Sequence, residues 1–384
     1  MDNIAGQKSS LTWAVHISVV VLVALWLFPT VGLFVSSFRT ADQIASSGWW
    51  KSMFPTVQNL TLRTAEPDKQ VQIGALYVIE GNLFAEDGRE PAPITAWGTS
   101  SRDVSAHAPG DAVDLRSGGT ITVADNGDYR LVSDQELTGR RGARIFVTAT
   151  VAPEFTLANY DQMLLDESNS AGMAKAFFNT LTVTIPATII PIVVAAFAAY
   201  ALAWMDFPGR ALLIAFVVAL LVVPLQLALI PLLKLHLNIG IGKGYLGAWL
   251  AHTGFGLPLA VYLLRNYMSG LPRDIIENAR VDGATEFQIF TKIILPLSFP
   301  ALASFAIFQF LWTWNDLLVA KVFLIDATGQ TTVMTNQIVE MLGTFGGNWE
   351  ILATAAFVSI AVPLIVFFAM QRYLVRGLLA GSVK

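Results

Sequence analysis

Apolar positions fall in six long runs, at about 13–35, 177–203, 211–233, 245–266, 298–320 and 350–372, separated by polar stretches of very unequal length. Each run approaches the roughly 20 residues that cross a bilayer as a helix. In lipid a single segment satisfies its backbone only as a helix. The pattern therefore predicts an all-α polytopic membrane protein with six transmembrane helices. The first run is too long for the apolar core of a secretory signal, and no Ala-x-Ala site follows it, so it is expected to be a retained span. Pro186, Pro191, Pro224, Pro231, Pro258 and Pro363 lie within the runs. They predict bent helices whose freed carbonyls are taken up by neighbouring helices or a cavity.

Between the first two runs the pattern changes. Val71–Ile79 and Gly119–Val123 alternate or are rich in β-branched residues, and Asp125-Asn-Gly-Asp128 is a turn signal followed by Tyr-Arg-Leu-Val. Residues of about 60–152 are read as a small β-rich, sandwich-like insertion. The segment 36–175 carries 12 Lys and Arg against 18 Asp and Glu. Its acidic residues Asp111, Asp114, Asp125 and Asp128 are read as turn formers rather than as a metal site. The expected organisation is 1–35 for the N-terminus and first span, and 36–175 for the outer segment. A five-span core at 177–372 with a polar loop at 268–296 follows, and a tail at 373–384.

Composition agrees with a membrane protein. The chain is 54% hydrophobic and 14% charged, where soluble proteins carry about 25% charged residues; its mean hydropathy is +0.57. The net charge of −4 argues against a nucleic-acid partner. There are no cysteines, and the four histidines (16, 107, 236, 252) lack ligand-like spacing, so no metal and no cofactor is expected. No Gly-x4-Gly-Lys-Ser/Thr loop is present, so ATP is not expected to bind this chain through one. Lys and Arg flanking the spans divide nine to three in favour of the side that holds Arg210, Arg265, Arg273, Arg280, Lys292 and both termini. By the positive-inside rule both termini and the 268–296 loop are cytoplasmic, and 36–175 is periplasmic.

That loop is more structured than a connector needs to be. Arg273-Asp-Ile-Ile-Glu-Asn-Ala-Arg280 reads as a helix opened by Pro272, and Gly283 permits a sharp reversal. Ala284–Lys292 reads as a second short helix ended by Pro296. Ile276, Ala279, Phe287, Phe290 and Ile294 would form one apolar ridge. An amphipathic two-helix elbow of this kind fits a groove on a soluble partner.

Glu277-Asn278-Ala279, Asp282-Gly283-Ala284 and Ile293-Ile294-Leu295-Pro296 resemble, at matching spacing, the EAA motif of permease subunits of bacterial ABC importers, with Asn278 in place of the middle Ala. Phe178-Asn179-Thr180, Val223-Pro224-Leu225-Gln226, Leu264-Arg265-Asn266-Tyr267 and Trp314-Asn315-Asp316 resemble the carbohydrate branch, in particular the second permease of maltose importers. The long insertion is similar to that of alpha-glucoside importer permeases. The resemblance implies a non-catalytic subunit of an ATP-driven sugar importer of the cell inner membrane, with an oligosaccharide such as maltose, trehalose or sucrose as cargo. It implies three partners: a second, different permease, a cytoplasmic ATP-binding cassette ATPase dimer, and a periplasmic sugar-binding protein. It assigns ATPase coupling to Glu277, Ala279, Asp282, Gly283, Ala284, Ile293, Leu295 and Pro296, with motion passed on to the fourth and fifth spans. The tail from Gly377 to Lys384 is expected to reach toward the ATPase. Polar residues inside spans are functional candidates, so Gln226, Gln309, Asn315 and Asp316, with Trp314, are the expected sugar path. A secondary transporter is the competing reading, and beyond Asp316 and His252 its ion-coupling groups are missing.

Overall fold

The fold is that of a computed structural model, which describes residues 10–115, 118–165, 172–325, 328–344 and 348–379. Lys8 and the end of the tail, Ser382-Val383-Lys384, lie outside the described residues. The chain forms two compact units, Met1–Asn159 with Asn348–Thr354, and Tyr160–Gly347 with Ala355–Lys384.

The first unit opens with α1 (Ser10–Ser36), a helix apolar on every side. A helix of this kind belongs in the apolar phase of a membrane. Thr40 then starts α2 (Ala41–Ser46) with a capping box closed by Gln43. The buried Arg39 guanidinium donates to the carbonyls of Gln43 and Ser47.

Eight strands follow: β1 (Thr56–Arg63), β2 (Val71–Ile73), β3 (Leu76–Asn82), β4 (Ile94–Gly98), β5 (Ala112–Asp114), β6 (Thr120–Val123), β7 (Asp128–Ser133) and β8 (Arg144–Val151). They make two antiparallel sheets, β1-β8-β4 and β2-β3-β7-β6-β5. Alternation along β1, β7 and β8 turns Leu60, Leu62, Tyr129, Leu131, Ile145 and Val147 into one core around the fully buried Trp97. Tyr129 keeps its polar end satisfied there, accepting from the Ala65 amide at 2.6 Å. The Val71–Ile79 run is two strands rather than one. Gly74, at φ +65°, turns the chain so that Ile73 pairs with Leu76. Asp111, Asp114 and Asp128 accept local hydrogen bonds from Ala108, Thr120, Asn82 and Asn126.

The second unit is helical: α3 (Met173–Trp204), α4 (Arg210–Leu220), α5 (Leu225–Asn238), α6 (Tyr245–Ser269), α7 (Arg273–Val281), α8 (Glu286–Ile289), α9 (Leu295–Leu297), α10 (Phe299–Trp314), α11 (Leu318–Phe323), α12 (Met334–Thr344) and, from Ala355 on, α13 (Trp349–Leu379). Among the described residues, four helices are long and apolar enough to cross a membrane: α1, α3, α6 and α13. Two further spans exist only if α4 with α5, bent by 110°, and α8–α9 with α10, bent by 70°, each count as one. The 211–233 run is thus not a single helix: it breaks at Leu221–Pro224. The 298–320 run ends its main helix at Trp314.

Small residues let α3 and α6 approach closely. Ala195, Ala196 and Ala199 pack with Ala260, Val261 and Leu264 in one buried cluster. Most of the prolines do not break their helices. Pro186 and Pro191 lie inside an unbroken α3, Pro258 inside α6 and Pro363 inside α13.

Candidate functional site

The elbow is built by two helix-terminal motifs in succession. Pro272 precedes α7, whose inner face buries Ile276 and Ala279. At its end the Ala284 amide donates to the Ala279 carbonyl and the Gly283 amide to the Arg280 carbonyl, both at 3.0 Å. This pair of bonds is the Schellman termination, which needs a left-handed residue after the C-cap. Gly283 supplies it at φ +80°. Asp282 is the C-cap, and Ala284 packs back against the cluster that contains Ala279. Three of the eight residues assigned to coupling, Ala279, Gly283 and Ala284, therefore have a local physical reason to be what they are.

Thr285 immediately starts α8. Its hydroxyl accepts from the Gln288 amide at 3.3 Å, and its own amide donates to Gln288 Oε1 at 2.9 Å. Phe290–Ile294 then widens into a π turn, in which the Leu295 amide reaches back five residues to the Phe290 carbonyl. Ile293 and Leu295 are partly buried against the main helical cluster. Pro296 does not end the second helix as expected. It sits in α9, and the chain continues to the 70° bend before α10. The apolar ridge also differs from expectation: Ile276, Ala279, Phe290 and Ile294 are buried, but Phe287 is 65% exposed. Ile289 takes the inward place, and a residue two positions earlier points about 200° away on a helix.

Charges ring the elbow. Glu277 is exposed. Glu286 is engaged on both oxygens: Tyr200 donates to Oε2 at 2.6 Å and Arg280 pairs with Oε1 at 3.0 Å. That hydrogen bond to Glu286 holds the Arg280 guanidinium above its ordinary pKa. Arg280 also donates to the Trp204 carbonyl at 3.4 Å. Sequence reasoning missed Tyr200 and Glu286 as members of this site. Their contact spans 86 residues, and no local pattern signals it.

The expected path residues separate into two groups. Gln226 and Asn315 are exposed. Gln309 and Trp314 are buried, each 1% exposed, and both serve backbone freed by proline. A proline leaves the carbonyl four residues earlier without its helical partner. Pro191 frees Ala187, which accepts from Gln309 Nε2 at 3.1 Å. Pro363 frees Ser359, which accepts from Trp314 Nε1 at 2.9 Å. Pro186 frees Thr182, which accepts from Trp249 Nε1 at 2.9 Å. Asp316 accepts from the Ala320 amide at 3.1 Å, anchoring the first turn of α11, and lies 3.8 Å from His252 Nε2.

A helical unit of this kind, with a polar elbow between long apolar helices, defines a polytopic membrane protein. Residues 177–379 match the family described as binding-protein-dependent transport system inner membrane component, and the chain belongs to that family. It is a multi-pass inner-membrane protein and a permease subunit rather than an enzyme. It is 58% identical over 384 residues to the alpha-glucoside transport system permease protein AglG of Rhizobium meliloti (strain 1021), covering 99% of each chain. It is 57% identical over 231 residues to the osmoprotective compounds uptake permease protein GgtD of Synechocystis sp., covering 60% of this chain and 76% of that one. It is 34% identical over 218 residues to the trehalose transport system permease protein SugB of Mycobacterium tuberculosis, covering 55% of this chain and 77% of that one.

Proposed function

We propose that this chain is one of two different permease subunits of an ATP-driven importer for an alpha-glucoside of the maltose, trehalose or sucrose class. It forms half of the translocation pathway, with six spans once each bent pair is counted as one. Both termini and the elbow face the cytoplasm, and the β-rich segment is periplasmic. The partners are a second permease, an ATPase dimer that grips the elbow, and a periplasmic sugar-binding protein. Glu277, Ala279, Asp282, Gly283, Ala284, Ile293, Leu295 and Pro296 form the coupling surface, with Glu277 free for a basic group on the ATPase. Gln226, Asn315 and Asp316 are assigned to the pathway wall; Gln309 and Trp314 support it by holding proline-freed carbonyls. The observation that carries the coupling role is the elbow's double termination motif, since a rigid two-helix element transmits a rigid-body motion. The cargo class is supported by the full-length similarity to AglG, which includes the β-rich segment.

The test is uptake of labelled maltose, trehalose and sucrose in cells lacking this chain, restored with wild type or with Gly283→Pro. Proline fixes φ near −65°, incompatible with +80° at this position, and removes the amide that bonds Arg280. One of these sugars is expected to require the wild-type chain, with Gly283→Pro inactive at normal membrane abundance. Uptake independent of the chain, or normal uptake by Gly283→Pro, overturns the reading.

A further inference from the structure

The elbow is fastened to more of the helical unit than to the two helices that flank it in sequence. The flanking helices are α6, which precedes it, and α10, which follows it. Glu286, at the start of α8, reaches α3 through Tyr200 at 2.6 Å. Tyr200 is itself buried, and its ring lies 5.2 Å from that of Phe290. Arg280, in the last turn of α7, closes on the same carboxylate at 3.0 Å and donates to the Trp204 carbonyl at the end of α3. Trp204 in turn donates from Nε1 to the Met268 carbonyl on α6, at 3.1 Å. The carboxylate of Glu286 is thus the common node of α7, α8 and α3.

Both of its oxygens are occupied, and one partner is a guanidinium. Charge-assisted bonds are shorter and stronger than neutral ones, and this pair, 42% and 40% exposed, is partly screened by water while the Tyr200 bond is half enclosed. The hydroxyl of Tyr200 is short of alternatives, because the rest of the side chain is enclosed. Glu277, by contrast, lies on the exposed side of α7. The two glutamates of the elbow are therefore placed for different tasks, one outward and one inward.

We propose that Tyr200, Glu286 and Arg280 form a strut that delivers displacement of the elbow to α3. They act as positioning residues for energy coupling, alongside the direct chain connections to α6 and α10. The inference rests on the coupling role proposed above for the elbow. It adds a third helix to the moving set, and it assigns the angle between α7 and α8 to Glu286 rather than to Gly283 alone. Gly283 makes the reversal possible; the carboxylate fixes how far it opens.

The test uses the full importer complex, reconstituted in proteoliposomes with its ATPase and its binding protein. The quantity read is labelled sugar moved per ATP hydrolysed, from a maltose, trehalose and sucrose panel. The variants are Tyr200→Phe, Glu286→Gln, their double mutant and Glu277→Gln. Tyr200→Phe keeps the buried ring and removes only the hydroxyl. Glu286→Gln keeps shape and removes the charge. Each is expected to co-purify with the ATPase at wild-type ratio and to lower the transport-to-hydrolysis ratio at least about fivefold, the lower end of ordinary site-to-site couplings. The double mutant is expected to be no worse than the worse single one, since residues that act as a unit are not additive. A ratio within about twofold of wild type for Tyr200→Phe, at normal assembly, overturns the strut. Independent, multiplying losses in the double mutant overturn it as well. Glu277→Gln separates the two levels. If it loses the ATPase while Tyr200→Phe transports normally, the elbow reading stands and the strut fails. If it assembles and transports normally, the elbow reading fails, and the strut with it.

Discussion

The helices α1 and α3 are both apolar on every side and both contain proline, yet they use their surfaces in opposite ways. Only 6% of the most apolar stretch of α1 is buried within the chain, against 39% for α3. The outward residues of α1 are large: Val20, Leu25 and Trp26 are 66%, 66% and 78% exposed. The inward residues of α3 are small: Ala187, Ala195, Ala199 and Thr184 are fully buried. In lipid, apolar side chains gain nothing by leaving the acyl phase for another helix, so close packing is won through small residues and hydrogen bonds. Hydropathy thus reports that a helix belongs in the membrane, and residue size reports whether it meets protein there. The prolines sharpen the point. In α3 the carbonyls freed by Pro186 and Pro191 are met by Trp249 and Gln309 from neighbouring helices.

Four substitutions, one of them used only as a rescue, test this contrast, in order of expected effect. Ala195→Leu adds bulk at a site with no exposed surface, next to a close helix crossing. Overpacking should destabilise the purified permease by about 3 kcal/mol, read as a large fall in its thermal midpoint. A midpoint like that of wild type would show that α3 is not closely packed there. Gln309→Leu strips the partner from the Ala187 carbonyl and should cost about 2 kcal/mol. Adding Pro191→Ala returns a backbone amide to that carbonyl and should recover most of the loss. If the double variant is no better than Gln309→Leu, the proline is not why the glutamine is there. Val20→Ala in α1 should change stability by less than about 0.5 kcal/mol; a larger drop would mean that α1 is packed against protein at that face.

Much of the elbow was legible because its signals are local. Gly283, and Ile276 with Ala279, each act over a few residues, so a linear reading finds them; the capping box of Thr285 with Gln288 is equally local and the reading passes over it. Phe287 is misplaced because the ridge steps back three residues from Phe290; the buried pair is Ile289 and Phe290, and Phe287 stands about 200° round the helix from Ile289. The break at Pro224 was hidden by continuous hydropathy from 211 to 233, which is blind to backbone direction. In the β-rich unit, alternation and the Asp125–Asp128 turn located β2, β3, β6 and β7 but not β1, β4, β5 and β8, and Gly74 is where Val71–Ile79 doubles back. Gln309 and Trp314 were read as path residues because polar groups in spans invite that reading. Their partners are backbone carbonyls 122 and 45 residues away, and the rule that links them to Pro191 and Pro363 becomes visible only when the helices are placed side by side. Tyr200 and Glu286 had no signal at all in the linear chain.

The π turn at Phe290–Ile294 sets a constraint of phase. A π turn holds one residue more than an ordinary turn over nearly the same rotation, so removing one residue there would restore regular helix and leave α8 nearly in phase with α10. Adding one has no such outlet and would rotate everything before it by about 100° relative to α10. Glu286 would swing away from Tyr200, and the exposed face carrying Glu277 would no longer point where it did, though no existing side chain had been altered. The stretch from Gly283 to Pro296 therefore behaves as a gear that can lose a tooth and cannot gain one. Its side chains tolerate exchange where they face outward, as at Phe287, but its length tolerates change in one direction only.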